Sequence, residues 1–403
     1  MKFLDGKETP FSVDYEMRAV VTGMIATYPV GGVAWDYGQY AIALENLGFD
    51  VYYLEDTGGA TYDPTRRLYG DDCSYGVRFL GQALAQLSPR LADRWHFRDA
   101  SGEFYGLSLH ELYEVIATAD LFLNVSGGTL LRDEYMACSC KVLIDTDPGW
   151  NHFVNYPRWD ARPRWQNTHG YRAHDHFFTY AERLGRADCS LPDMGLAWHP
   201  TRPPVVLDRW KGVGNGRTWT TVMTWNNFHK PVEYQGRTYG TKEMEFAKIE
   251  SIPIKHPGVQ FQLATGGSEA PIEKWKRSGW QVVDSHSVSE SLTDYRIYIE
   301  TSRGELSVAK NLYVATKSGW FSCRSACYLA AGRPVIVQDT GFAEILPTGE
   351  GLFPFTNTRE AEDAIAIVES DYDKQARAAR DLAAEYLDGR RIVGNMLQRI
   401  GLM

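Results

Sequence analysis

Residues 304–355 read GELSVAKNLYVATKSGWFSCRSACYLAAGRPVIVQDTGFAEILPTGEGLFPF, and the succession of turn, helix and strand signals in this stretch decides the fold. A turn at Lys317, Ser318 and Gly319 runs into a short helical pattern at 320–331. A Gly-x-Pro break follows at Gly332 and Pro334, then an apolar strand at 335–337. Beyond it lies a tight loop, Thr340-Gly341-Phe342, with an acid at Glu344. A helix start offers unpaired N–H groups and partial positive charge, which suit a phosphate. The crevice past the carboxyl end of a parallel strand is where open α/β sheets take ligands. Both devices fall within this one stretch, an arrangement that suits a sugar nucleotide.

Outward from it, the chain alternates short apolar strands with helical patterns. In the first half, 18–24 (RAVVTGM) reads as a buried strand, followed by a Gly-Gly loop and a helix at 35–47 that Gly48 ends. Strands follow at 50–54, 121–125 and 141–144, with a helix at 111–119. The aromatic, His- and Arg-rich segment 151–180 gives no assignable pattern. WHPTRPPVVLDRWKGVGNG (198–216) concentrates Pro and then Gly, as an extended linker into a new unit does. The second half offers strands at 219–225, 260–264, 280–283, 298–299 and 335–337, and helices at 360–370, 373–386 and 391–400. Such alternation predicts an α/β chain with a doubly wound parallel sheet in each of two Rossmann-like domains. The expected division is 1–205, 206–388 and a closing helix, 389–403.

The 403 residues, 44% hydrophobic and 13% aromatic, suffice for two such cores. Net charge is −9, with acids and bases interspersed, so no nucleic-acid partner is expected. The sequence has no run of eighteen apolar residues, and MKFLDGKETPF has no signal-peptide core, so no transmembrane segment and a cytoplasmic location are expected. Cys138 and Cys140 stand one residue apart, Cys323 and Cys327 one helical turn apart, and Cys73 and Cys189 alone. These spacings suit reduced thiols rather than a structural metal. Turn chemistry accounts for Asp145-Thr146-Asp147-Pro148, so no metal site is expected there.

Ser318-Gly319-Trp320-Phe321-Ser322 resembles the C-G-W-N-S stretch of the UDP-glycosyltransferase signature. CYLAAGRPV (327–335) resembles the E-A-M-A-x-G-x-P-V stretch of retaining, family 4-like enzymes. The whole of 295–355, and GFDVYYLED at 48–56, are similar to a group of uncharacterised bacterial glycosyltransferases. The resemblance implies a GT-B fold, two Rossmann-like domains facing across a cleft, with the closing helix crossing back onto the first. It implies metal-independent transfer of a sugar, without a cofactor, from a nucleotide-sugar donor (a UDP- or TDP-sugar) to a small-molecule or glycan acceptor. Four positions depart from the pattern. The two glutamates of family 4 fall on Gly319 and Cys327, and the ribose-binding glutamate of the UDP-glycosyltransferase signature falls on Ser325. The usual base of inverting enzymes falls on Val33, and no His precedes His96.

For the donor, the resemblance singles out Gly31 and Gly32 before the first helix, Asn227 and Lys230 after the first strand of the second domain, and His286 in a base-reading loop. It adds Lys310, Lys317 in the place of a phosphate-binding His, Ser318, Gly319, Trp320 and Ser322. Arg324 puts a fork of donors in a first helical turn, against the dipole unless an anion is near. Thr340, Gly341, Phe342 and Glu344 would meet the transferred sugar, whose hydroxyls a carboxylate accepts. Asp36 is the candidate base, with Lys230 and Glu344 the other catalytic candidates. Asn124, Ser126, Asp145 and Asp147, at strand ends, would line the acceptor side. The alternatives are a nucleotide-sugar epimerase of GT-B architecture and a non-catalytic sugar-nucleotide-binding protein, which the loss at Gly319 and Cys327 keeps open.

Overall fold

Short strands buried along their whole length, with helices between them, make parallel sheets covered on both faces, because the crossover helices must lie there. A computed structural model describes residues 17–162, 168–214, 216–226, 231–267 and 269–403. The first half supplies β1 (Arg18–Thr22), β2 (Asp50–Glu55), the hairpin strands β3 (Thr61–Asp63) and β4 (Leu68–Gly70), then β5 (Trp95–Arg98), β6 (Phe104–Gly106), β7 (Leu121–Val125), β8 (Lys141–Asp145), β9 (His176–Thr179) and β10 (Trp198–Pro200). Its sheet runs β10-β9-β8-β7-β1-β2-β5-β6, parallel except where β6 turns back on β5. The second half supplies β11 (Thr218–Thr224), a hairpin of β12 (Val232–Tyr234) and β13 (Arg237–Tyr239), then β14 (Gln260–Gly266), β15 (Gln281–Asp284), β16 (Gly304–Ser307), β17 (Val335–Gln338) and β18 (Leu352–Phe355). They form an all-parallel sheet, β15-β14-β11-β16-β17-β18. All residues of β7, β8 and β17 are buried, as expected of strands covered on both sides.

Two expected elements change. Residues 298–299 are helical, inside Leu292–Glu300, whose Ser291 cap accepts from Asp294 N at 3.1 Å. The strand lies further on, at Gly304–Ser307, where buried Glu305 and Ser307 hide it from a search for apolar runs. The first helix begins at the glycine pair itself, Gly31–Asn46, and the later one is Cys323–Ala330. The unassigned 151–180 segment contains a π-helical turn, Asn151–Asn155, the helix Tyr156–Ala161 and β9.

The carboxyl ends of the two sheets meet, and Gly31–Asn46 is buried between them on nearly all sides. Its buried amide ties it to both halves: Gln39 Oε1 accepts from Val206 N and Trp210 Nε1, and Nε2 faces Cys327 Sγ. The last helix, Gly389–Arg399, packs on it, a Cβ at Gly389 falling 3.3 Å from Ala43 Cβ. The seam is pinned on both flanks. On one, Tyr234 and Tyr239 of the β12–β13 hairpin pack on Phe153 at 4.2 and 5.0 Å. On the other, Arg67 in the β3–β4 hairpin pairs with Asp284 at the end of β15. Among the described residues no helix is long and apolar enough to cross a membrane.

Candidate functional site

The seam takes its chemistry from the loops that leave β1, β8 and β9 on one side and β11, β15, β16 and β17 on the other. The loop after β1 is organised by Glu55, a fully buried carboxylate that accepts from Ala26 N (2.8 Å), Thr27 N (2.6 Å) and Thr27 Oγ1 (2.6 Å). Burial outweighs these donors and lifts its carboxyl to about 7. The loop delivers Gly31 and Gly32, but to protein rather than to phosphate. Gly31 N donates to Ser289 O at 2.7 Å and Gly32 N to Ser289 Oγ at 3.1 Å. A Cβ at Gly31 would lie 2.1 Å from Ser291 O, so the glycine pair exists to let the helix dock.

One turn further, Asp36 faces the start of the Cys323–Ala330 helix and accepts from the Cys323 thiol; burial raises its carboxyl to about 6. That helix begins at Ser322, whose side chain makes no cap hydrogen bond. The anion that offsets Arg324 is Glu305. Arg324 Nε meets Glu305 Oε1 at 2.6 Å, Nη2 meets Ser307 Oγ at 2.7 Å and Nη1 meets Val222 O at 2.7 Å, so the fork ties β11 and β16 together. Arg324, expected at phosphate, is thus held by groups of its own half. Lys310 is likewise taken, by Asp147 of the facing loop at 2.7 Å, and Tyr313 also donates to Asp147. Lys317, exposed and left-handed at φ 50°, reaches only Asp188, at 3.4 Å. Asn227 and Lys230 lie outside the described residues.

The basic residue that stands free is one the sequence reading passed over. Lys242 follows the β12–β13 hairpin, is partly buried, and its ammonium has no hydrogen bond or ion pair among the described residues. Burial, then the charges of Arg324 and Lys310, push its pKa well down, against the pull of Glu305. No motif marks it; a Gly-Thr turn before a Lys is the only local signal.

At the other end of the seam the expected sugar loop is occupied. Arg183, in the loop after β9 with its side chain 3% exposed, lies over both Gly319 and Gly341. A Cβ at either position would fall 2.8 Å from Arg183 Cγ or 2.6 Å from Cδ, and both glycines have positive φ (78° and 97°). Arg183 Nη1 holds Glu344 at 2.6 Å, Nη2 pairs with Asp188, and its backbone N donates to Ser318 O. Ser318 is buried, Trp320 stacks on Tyr313 at 4.2 Å and donates to Thr146 O, Thr340 Oγ1 donates to Trp320 O, and Phe342 packs edge-on to Phe321. Glu344 thus faces an arginine of the first half.

Of the acceptor-side candidates, Asn124 and Asp145 are internal. Asn124 exchanges hydrogen bonds with Thr22, Thr129 and His174, and Asp145 accepts from Asn151 and Thr179 and meets His152 Nε2 at 3.0 Å. Both side chains are buried. Ser126 and Asp147 are partly exposed at the seam. His286 sits beyond β15 with its Nδ1 buried and unpartnered. The cavity of about 680 Å³ lined by Glu182, Arg202, Arg391 and Arg399 lies beside the closing helix, away from these groups.

Two Rossmann-like sheets meeting at their carboxyl ends, with a closing helix returned to the first, define the GT-B glycosyltransferase fold, and the chain has that fold. No protein-family model matches the chain, and no curated protein matches it. Among solved structures it is similar to AviGT4, a glycosyltransferase involved in avilamycin A biosynthesis, at 12% identity over 95% of this chain and 96% of that one (TM-score 0.54). It is similar to HepE of Anabaena, solved with UDP and glucose, at 11% identity over 96% and 100% (TM-score 0.52). It is also similar to an α-glucosyltransferase solved with UDP and a 13-mer DNA, at 11% identity over 96% and 99% (TM-score 0.53).

Proposed function

We propose that the chain is a glycosyltransferase that moves a sugar from a UDP- or TDP-sugar to an acceptor hydroxyl without a metal ion. Lys242 carries this reading. A partly buried ammonium without a counter-charge costs stability in the free protein, and a diphosphate is the ligand that offsets such a cost. The open N–H groups at Ser322 face the same ligand class. HepE and the α-glucosyltransferase both bind UDP. Residues 206–388 would hold the donor and 1–205 the acceptor, with 389–403 returning to the first domain.

In the transfer, the acceptor oxygen bonds to the anomeric carbon while the bond from that carbon to the phosphate oxygen breaks, its electron pair leaving on the diphosphate. Lys242 and the first-turn N–H groups stabilise that charge. Asp36, ionised above a pH of about 6, takes the acceptor's proton. A second reading, binding without turnover, draws on the Arg183–Glu344 pair that fills the sugar loop. Incubation with UDP- and TDP-sugars separates the two. Release of UDP or TDP supports the transferase, and saturable binding with no release supports the second reading. A freed sugar epimer, or neither binding nor release, contradicts the transferase.

A further inference from the structure

Just outside the proposed catalytic seam, the loop after β1 lifts Tyr28 to the surface, 38% exposed, and the β3–β4 hairpin lifts Tyr69, 58% exposed. Tyr69 meets Tyr28 edge-on with ring centroids 6.1 Å apart, and its cross-strand partner Tyr62 at 5.1 Å. Exposed aromatic side chains are ordinarily scattered singly; here two exposed rings and the half-buried Tyr62 join in one ledge. The ledge is fixed in place. Tyr62 N donates to Thr27 O at 2.9 Å, Asp63 closes the hairpin turn by accepting from Thr65 N at 2.8 Å, and Arg67 ties the tip to Asp284.

From the ledge a row of hydroxyls crosses the carboxyl ends of β1, β7 and β8. Tyr37 OH donates to Ser126 Oγ at 3.2 Å, and Ser126 Oγ lies 2.6 Å from Thr146 Oγ1, next to Asp147. Tyr28 stands three residues before Gly31 on the loop that enters the Asp36 helix, and at 1.5 Å per residue Asp36 is about 8 Å along that helix. An aromatic face with phenols at its rim, beside a row of uncharged hydroxyls, matches a sugar ring. The ring's C–H face packs on the aromatic surface while its hydroxyls exchange hydrogen bonds with phenols, Ser and Thr.

We propose that Tyr28, Tyr62 and Tyr69 form a subsite for a pyranose ring of a glycan acceptor, outside the ring that carries the reacting hydroxyl. The inference rests on the glycosyltransferase reading and gives its acceptor a chemical class. A nucleobase also stacks on aromatic rings, and loss of UDP affinity in Tyr69→Ala is the outcome that would assign the ledge to it instead.

The test uses the full chain and an array of immobilised short linear oligosaccharides of glucose, galactose, mannose and N-acetylglucosamine, with UDP-induced thermal shift measured in parallel. The expected result is binding of at least one oligosaccharide by the unaltered protein, weakened roughly tenfold in Tyr69→Ala. Tyr69→Phe, which keeps the ring, should bind far better than Tyr69→Ala, and UDP affinity should hold in both. Tyr69 is exposed, so unfolding is not the expected outcome, and the unliganded melting temperature checks it. Absence of oligosaccharide binding while UDP still stabilises the protein overturns the ledge alone. Unchanged oligosaccharide binding in Tyr69→Ala, or lost UDP affinity instead, also overturns it. Tyr69-dependent sugar binding without any nucleotide effect would uphold the ledge and sink the donor reading.

Discussion

Lys242 and Arg183 are both basic side chains in the seam between the sheets, yet they are held in opposite ways. Arg183 is nearly inaccessible, its guanidinium paired with Glu344 and Asp188 and its stem laid over Gly319 and Gly341. Lys242 has no counter-charge, and its neighbours Arg324 and Lys310 repel it. Paired charge at a seam fastens one half to the other, whereas an uncompensated cation beside an uncapped helix start is unfinished without an anion. The contrast separates a charge that fastens the two halves from a charge with no partner among the described residues.

Arg324 tests that contrast with the largest effect. If it is a fastening residue, Arg324→Met strands Glu305, which is wholly buried, and costs about 3–5 kcal/mol in denaturant unfolding. If it were a phosphate ligand, the variant would keep its stability and lose nucleotide affinity. Asp36→Asn comes next, with a fall in transfer rate on the order of a hundredfold. The rate of the unaltered protein should rise with pH through about 6, and the variant should lack that rise. The stability sign runs the other way. Burial holds this carboxyl at about 6 against 3.8 in the open chain, so its favourable contribution is complete below 3.8 and fades as pH rises through about 6. Asp36→Asn removes that slope from a pH series of melting curves. Gly31→Ala should cost less, about 1–3 kcal/mol, since its Cβ would meet the Ser291 carbonyl and the docked helix must shift. A variant as stable as the original would mean the glycine is free for phosphate after all.

The two-sheet frame was legible because β7, β8 and β17 each carry three successive apolar residues, at 121–123, 142–144 and 335–337. β16 was not, because Glu305 is made burial-compatible only by Arg324, nineteen positions away in sequence. The same limit governs the site. Gly31, Gly32 and Arg324 are visible as unusual residues, but their partners Ser289, Ser291 and Glu305 come from tertiary packing, which no local pattern records. Asp36 was accessible from its place near a helix start. Lys242 was not, since what distinguishes it is the lack of a partner, which no local pattern records. Arg183 was hidden for the converse reason: its role depends on two glycines and an acid in the other half.

The central claim, that Lys242 is held unpaired for a nucleotide diphosphate, is met most directly by UDP titration of melting temperature in the unaltered protein and in Lys242→Met. UDP should raise the melting temperature of the unaltered protein by mass action. Lys242→Met should melt at the same temperature or higher without ligand, because a repelled ammonium has been removed, and should show little or no UDP shift. A variant that is less stable when unliganded, or that responds to UDP as the unaltered protein does, would contradict the claim.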